Sequence, residues 1–362
     1  MFRSMITTID RYILRKFIGT FLYAILIMAV IAGVIDFSEK VNFFVSKKVP
    51  FWEVAGYFRN FIPHIIALLF ALFIFIATIF FTSKLAYKSE IIAILATGAS
   101  FNRFLRPYFV GAALICGVFL VANHWWVPMA NKQRMAFEDK YTHNAITNSD
   151  RNVHLRLSPE LFVYVQSYDY SNNSGYRFSA EKISGITLKE KITADRITYD
   201  SVKKTWHLSG VMIRRNDGLK EEMHFVNEMT VPYPFTPKDL YNNEDIKETL
   251  TTPELSRFIH REEQRGRESL NIFYVEKYRR TAQPAAGFIL CIIGVCISCR
   301  KIRGGSGFHL ALGILISAVY MMLLQFSTTF STKAGLNPLI AVWIPNFIFG
   351  AIAFMLYRRE AR

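Results

Sequence analysis

The densest chemistry in the chain lies in Lys84-Leu-Ala-Tyr-Lys-Ser-Glu-Ile-Ile-Ala-Ile-Leu-Ala-Thr-Gly-Ala-Ser-Phe-Asn-Arg-Phe-Leu-Arg-Pro107. One carboxylate, Glu90, stands there among small side chains. Read as a helix over about 84–106, the stretch puts Glu90, Ala93, Thr97 and Ser100 on one face, with Ile91, Ile94, Leu95 and Gly98 on the adjoining one. A lone carboxylate framed by Ala, Thr and Gly suits close docking into a groove on another protein, where it can accept charge-assisted hydrogen bonds. By pattern alone an ordinary loop helix explains the stretch equally well.

A second group is cationic: Lys40, Lys47, Lys48, Arg134, Lys277, Arg279 and Arg280. Taken singly, such side chains snorkel to lipid headgroups. Gathered around one cavity, Lys40, Arg134, Lys277 and Arg280 would suit a multiply phosphorylated amphiphile. Spacing does not decide whether they converge.

No catalytic set accompanies them. The sequence has no His-Glu-x-x-His, no Cys/His pattern for zinc and no Gly-x-Ser-x-Gly elbow. Arg303-Gly-Gly-Ser-Gly307 lacks the Gly-Lys-Ser/Thr of a phosphate loop and reads as a tight turn. Asp195, Asp200 and Asp217 fall at strand ends or turns, where solvated structural roles are expected. His64, beside Pro63 near a span end, reads as an imidazole satisfied by backbone or headgroup rather than a proton relay. These patterns imply no cofactor and no metal, and any ATP must be hydrolysed by a partner.

The elements that position these residues are membrane spans. The chain has 362 residues, 52% of them hydrophobic, with 32 Phe and a net charge of +15. Stretches near 17–35, 61–83, 108–127, 282–298, 308–330 and 339–357 are each long enough to cross a hydrocarbon layer of ~30 Å. The third ends at Asn123-His-Trp-Trp-Val-Pro128, where the tryptophans read as an interfacial anchor. The first follows a basic arm but lacks an Ala-x-Ala site, so an uncleaved anchor is expected.

Charge follows topology. Arg3, Arg11, Arg15 and Lys16, then Lys84, Lys88, Arg103 and Arg106, then Arg300, Lys301 and Arg303, then Arg358, Arg359 and Arg362 all fall on one side. By the positive-inside rule both termini are cytoplasmic. The positive charge is therefore an orientation signal, and nucleic acid is not implied. Cys116, Cys291, Cys296 and Cys299 lie in or next to spans, so the long external segment has no disulfide framework.

That segment alternates as strands do: 153–157, 161–168, 176–180, 185–189, 192–199, 205–213 and 221–230. Asn172-Asn-Ser-Gly175 and Asn216-Asp-Gly218 supply turns. Seven short strands without intervening helices predict an antiparallel sandwich or jelly roll. Val231-Pro-Tyr-Pro-Phe-Thr-Pro237 closes it, and a charged helix over 253–268 leads back. Three domains follow: 1–130 with spans 1–3, 131–270 with the β domain and flanking helices, and 271–362 with spans 4–6.

Ile9-Asp-Arg-Tyr-Ile13, Lys88-Ser-Glu-Ile-Ile-Ala-Ile-Leu-Ala-Thr-Gly98, Gln283-Pro284 and Pro338-Leu-Ile-Ala-Val-Trp-Ile-Pro-Asn346 carry a resemblance. The whole chain resembles the LptF/LptG (YjgP/YjgQ) lipopolysaccharide export permeases, and is more like LptG. The resemblance implies six transmembrane helices, three on each side of an inserted periplasmic jelly roll, in the bacterial inner membrane. It implies pairing with a second, LptF-like permease and docking of the intracellular helix on an LptB-like ATPase dimer. It further implies that lipopolysaccharide enters from the outer leaflet and passes, with an LptC-like protein, to an LptA-like β bridge. Glu90, Ala93, Thr97 and Gly98 become the coupling helix, and Arg280 a basic position at the cavity entrance. Asp36 departs from members that carry a lysine at the outer end of span 1, unless Lys40 one turn later replaces it. The rival readings are a scaffold that anchors a periplasmic β domain without transporting anything, and a membrane enzyme, which the missing catalytic set disfavours.

Overall fold

The computed structural model describes residues 7–141, 150–169, 172–185, 187–217, 220–240, 245–264, 270–301 and 305–360. In chain order the first helices are α1 (Thr8–Ser46), α2 (Phe51–Tyr87), α3 (Glu90–Ala96), α4 (Phe101–Val121) and α5 (Val127–Tyr141). Six strands follow: β1 (Asp150–Ser158), β2 (Leu161–Asp169), β3 (Ser174–Ser184), β4 (Thr187–Asp200), β5 (Thr205–Asp217) and β6 (Lys220–Val231). The chain returns through α6 (Pro237–Leu240), α7 (Ile246–Thr249) and α8 (Thr252–Gln264), and ends in α9 (Asn271–Ser298), α10 (Gly305–Ala334) and α11 (Pro338–Glu360).

Among the described residues, six helical stretches are long and apolar enough to span a membrane, with α4 and α5 forming one of them over Phe101–Glu138. The helix of the third span therefore does not stop at Trp125 and Trp126. It runs through a π-helical turn, Ala122–Trp126, that keeps the helix continuous into α5. The tight turn expected at 303–307 lies partly outside the described residues.

The chain divides into two compact units, one of 1–136, 247–256 and 271–362 and one of 137–246 and 257–270. In the helical unit, α9 packs on α2 through glycines. A Cβ at Gly287 would come within 2.7 Å of Phe70, and one at Gly294 within 3.2 Å of Phe75. Small residues let apolar helices approach closely, which matters where lipid offers no hydrophobic driving force between them. Ile13, Phe17, Phe70, Phe104 and Tyr108 fill one core, and Phe75, Ile79, Leu290, Tyr320 and Phe349 another. Asn346 ties α11 into the second core, accepting from Tyr320 Oη at 2.9 Å and donating to the Ala282 carbonyl at 2.9 Å. All four cysteines are buried and unpaired.

Among the described residues, the inserted unit holds a single antiparallel sheet in the order β1-β2-β3-β4-β5-β6. Six strands replace the seven expected, because 185–189 and 192–199 belong to one long β4 whose pairing with β3 continues past a register shift at Lys182/Ile183. Val163, Val165, Phe178, Ala194, Ile197 and Leu208 are buried on the packed face. The three-residue step from Ala194 to Ile197 breaks strict alternation beside Arg177 (φ 51°) and Gly210 (φ 66°), which adopt left-handed backbone conformations. Trp206 anchors that core, stacking on Phe235 at 4.6 Å and donating Nε1–H to its carbonyl at 2.9 Å. The proline-rich segment after β6 thus closes the sheet. Asp200 serves the β4–β5 turn, accepting from the amides of Val202 and Lys203. Those hydrogen bonds, Lys203's first, hold its carboxyl below the usual range.

Candidate functional site

Two clusters of polar side chains in the helical unit involve residues that the sequence singled out. The first surrounds Glu90. The long helix expected over 84–106 is broken twice: Ser89 (φ 61°) and Gly98 (φ 84°) adopt left-handed backbone conformations. Glu90–Ala96 is a separate short α-helix between the end of α2 and the start of α4, with Thr97 as its C-cap. Ser100, placed by sequence on the Glu90 face, instead caps α4 by accepting from Arg103 N at 3.3 Å. Glu90 opens the short helix in its first turn, where a carboxylate favourably meets the helix dipole. Ile91 points into the core, whereas Ile92, Ala93, Leu95, Thr97 and Gly98 are exposed. The result is a small, shallow, partly apolar surface with an acid at its head. Neighbouring helices brace it: Tyr12 Oη donates to Glu90 Oε2 at 3.2 Å and Lys301 Nζ to Ser89 Oγ at 3.2 Å.

The second place is built on α9. Glu276, Arg279 and Arg280 sit at the i, i+3 and i+4 spacing that puts them on one helical face. Glu276 accepts from Arg279 at 2.6 Å and from Arg280 at 3.1 Å. Arg280 is 1% exposed. Its Nη1 donates to Thr252 Oγ1 at 3.1 Å and its Nη2 to the Lys247 carbonyl at 2.8 Å. Thr252 also meets His124 Nδ1 at 2.8 Å. Asn123, in the π-helical turn, donates to the Arg280 carbonyl at 3.2 Å and to Gln283 at 3.1 Å. The π turn thus has a local function, since it aims Asn123 and His124 at the return segment and at α9.

These groups border a polar cavity of about 40 Å³, lined among others by His64, Asn123, Glu248, Glu276, Arg279 and Gln283. A cavity of that volume is large enough to admit a water molecule. His64 was expected to be satisfied by backbone or headgroup. Its Nδ1 also lies 3.8 Å from Glu248 Oε2. Burial, then the neighbouring Glu276 carboxylate, push the Glu248 carboxyl above its usual 4.5, with Arg279, Lys247 and Arg134 opposing. The folded protein therefore holds this proton more tightly than the unfolded chain does, and stability falls as pH rises from about 4.5 through the raised value. Glu248→Gln should flatten that slope and leave the protein as stable or more stable at neutral pH. Thermal unfolding of both proteins between pH 4 and pH 8 tests this, and parallel curves would refute it.

The predicted cations are not all gathered here. Arg280 borders the cavity, and Arg134 is close enough to bear on Glu248. Lys277 lies on the same helix, half-buried. Lys40 is elsewhere: it pairs with Asp36 at 2.8 Å and bonds the Tyr57 hydroxyl, 4.6 Å over that ring's centroid. The acid that replaces the expected span-1 lysine is thus neutralised by the cation one turn later. Glu248, Glu276, Asn123 and Thr252 were missed as site residues. The Glu276-x-x-Arg279-Arg280 spacing could have revealed one of them; the others carry no local signal. Among the described residues, no group of three or more His, Cys, Asp or Glu side chains could hold a metal ion.

The model of the lipopolysaccharide export system permease family LptF/LptG matches residues 11–359. The chain belongs to the LptF/LptG family. No curated protein matched it. The LptF/LptG family is the permease component of the lipopolysaccharide export system, and its members are transporter subunits. Six apolar helices and an antiparallel sheet inserted between the third and fourth spans suit that membership. They also fit a multi-pass protein of the inner membrane. The preference for LptG over LptF has no counterpart in the match, which covers both.

Proposed function

We propose that this chain is the membrane subunit that turns ATP hydrolysis by a partner into extraction of lipopolysaccharide from the inner membrane. The observation that carries this reading is α3, a seven-residue helix led by Glu90 and exposing Ala93, Thr97 and Gly98 between two spans. That surface suits the groove of an LptB-like cytoplasmic ATPase dimer. The other partners in this reading are a second, LptF-like permease, an LptC-like protein, and an LptA-like bridge extending the sheet domain on the periplasmic side. In this orientation both termini are cytoplasmic. A cysteine at Val202, 89% exposed in the β4–β5 turn, should react with an impermeant thiol reagent added to spheroplasts, and one at Thr97 should not. The reverse pattern would overturn the orientation.

Lys40, Arg134 and Lys277 are proposed to meet the phosphates of the glycolipid, with Arg280 supporting them from behind. Arg280 already serves three protein acceptors, so its part is to hold the cavity wall and add charge from behind, whereas Arg134 and Lys277 make contact. Each partly desolvated, charged hydrogen bond to phosphate contributes about 1.5–3 kcal/mol, against ~0–1 kcal/mol for an exposed pair. A photoreactive residue at positions 40, 134 and 277 of the reconstituted exporter should form adducts with lipopolysaccharide. Adducts forming only elsewhere on the chain would reject this path.

A further inference from the structure

The motif Ile9-Asp-Arg-Tyr-Ile13 has no part in the export reading, yet two of its side chains reach the segment that would meet the ATPase. Asp10 is buried at the start of α1, where it closes a capping box with Thr7. Its Oδ2 accepts from Thr7 N at 2.8 Å and from Arg103 Nη2 at 2.7 Å. Arg103 belongs to the first turn of α4, directly after α3, and donates to Thr7 Oγ1 as well, at 3.2 Å. Two residues further along α1, Tyr12 Oη donates to Glu90 Oε2 at 3.2 Å. The two contacts therefore grip the α3 segment from both ends. Between them Ile91 shares a core with Ile13, Phe17 and Phe104.

The segment needs such a grip. A helix of seven residues is far below the length at which helices hold themselves in water. Left-handed residues on either side, Ser89 and Gly98, uncouple its direction from α2 and α4. Its orientation must come from tertiary contacts.

We infer that the first two turns of α1 are the positioning element of α3: Asp10, through Arg103, fixes the exit of the segment, and Tyr12 orients the Glu90 carboxylate at its entry. A neutral phenol suits the second task, because it fixes one carboxylate oxygen and leaves the negative charge in place. Asp10 and Tyr12 are positioning residues that act through Arg103 and Glu90. The consequence for ATP turnover rests on the docking role proposed for Glu90; the positioning itself does not.

The test uses the full chain with a spin label on Thr97→Cys. The four native cysteines are buried, so labelling is selective. In lipid nanodiscs, Tyr12→Phe and Arg103→Ala should each shift the label's spectrum toward the mobile component, and Arg103→Lys should restore most of the immobile one. In the exporter copurified through the tagged chain, ATP turnover should fall roughly three- to tenfold for Tyr12→Phe, the loss expected from one hydrogen bond. Mobile spectra with unchanged turnover would support the positioning and sink the docking role of Glu90. Spectra unchanged in both Tyr12→Phe and Arg103→Ala would overturn the inference, and Tyr12→Phe, which removes only a hydroxyl, keeps that outcome readable if Arg103→Ala folds poorly.

Discussion

Glu90→Lys should abolish ATP-driven export while leaving the permease folded. Removing one partner of a hydrogen-bonded charge pair at an interface costs about 2–5 kcal/mol, much of it from the unpaired charge left behind. At 1.4 kcal/mol per factor of ten, that is roughly a 30-fold loss of partner affinity or more. The cost within the chain itself is smaller. Glu90 is half-exposed, opens a helix of one to two turns and has Tyr12 as a side-chain neighbour. A lysine there loses the favourable dipole contact, about 0.3–1 kcal/mol, and one hydrogen bond. Glu90→Gln separates charge from shape: its amide oxygen still accepts from Tyr12, so export should fall less than for lysine. The measurements are lipopolysaccharide release and ATP turnover in proteoliposomes, beside thermal unfolding of each variant. Normal export by Glu90→Lys would sink the docking role.

Arg280→Glu should destabilise the protein rather than merely weaken lipid binding. The guanidinium is buried and holds Glu276, Thr252 and the Lys247 carbonyl together. A glutamate would face the buried Glu276 carboxylate one turn away on the same helix. Breaking a buried ion pair by removing one partner costs about 3–5 kcal/mol. Loss of the fork also releases the return segment at Lys247 and Thr252, where α7 and α8 meet the helical unit. Arg280→Lys keeps the charge but cannot span three acceptors in one plane, so a smaller loss is expected. Thermal unfolding in detergent reads both effects. A melting temperature unchanged in Arg280→Glu would show that the buried network contributes little, and would leave Arg280 as a lipid contact alone.

The two predictions differ in how far the sequence could support them. Hydropathy determined the six spans, because a bilayer requires some twenty apolar residues whatever the rest of the chain does. Period-two alternation marked the strands of the insert, and turns too short for crossover helices made them antiparallel. The Ser89-Glu90 motif and the Ile9–Ile13 motif are likewise visible in the bare sequence. What these local patterns could not supply was decided by contacts between distant residues.

Nothing in Lys88-Ser-Glu announces a left-handed serine; packing of Ile91 and the bonds from Tyr12 and Lys301 hold the chain in that turn. The merging of two predicted strands into β4 follows from continuous pairing with β3 and β5, not from its own residues. His64 looked like a helix-end imidazole because Glu248, its neighbour in space, lies on the far side of the β insert in sequence. Arg280 read as a surface cation at a span end because charge alone does not reveal burial; Glu276 one turn earlier and Thr252 from the return segment make that burial tolerable. Local periodicity specifies which face of an element is apolar. Which polar groups survive inside is settled only where separate elements meet and satisfy one another.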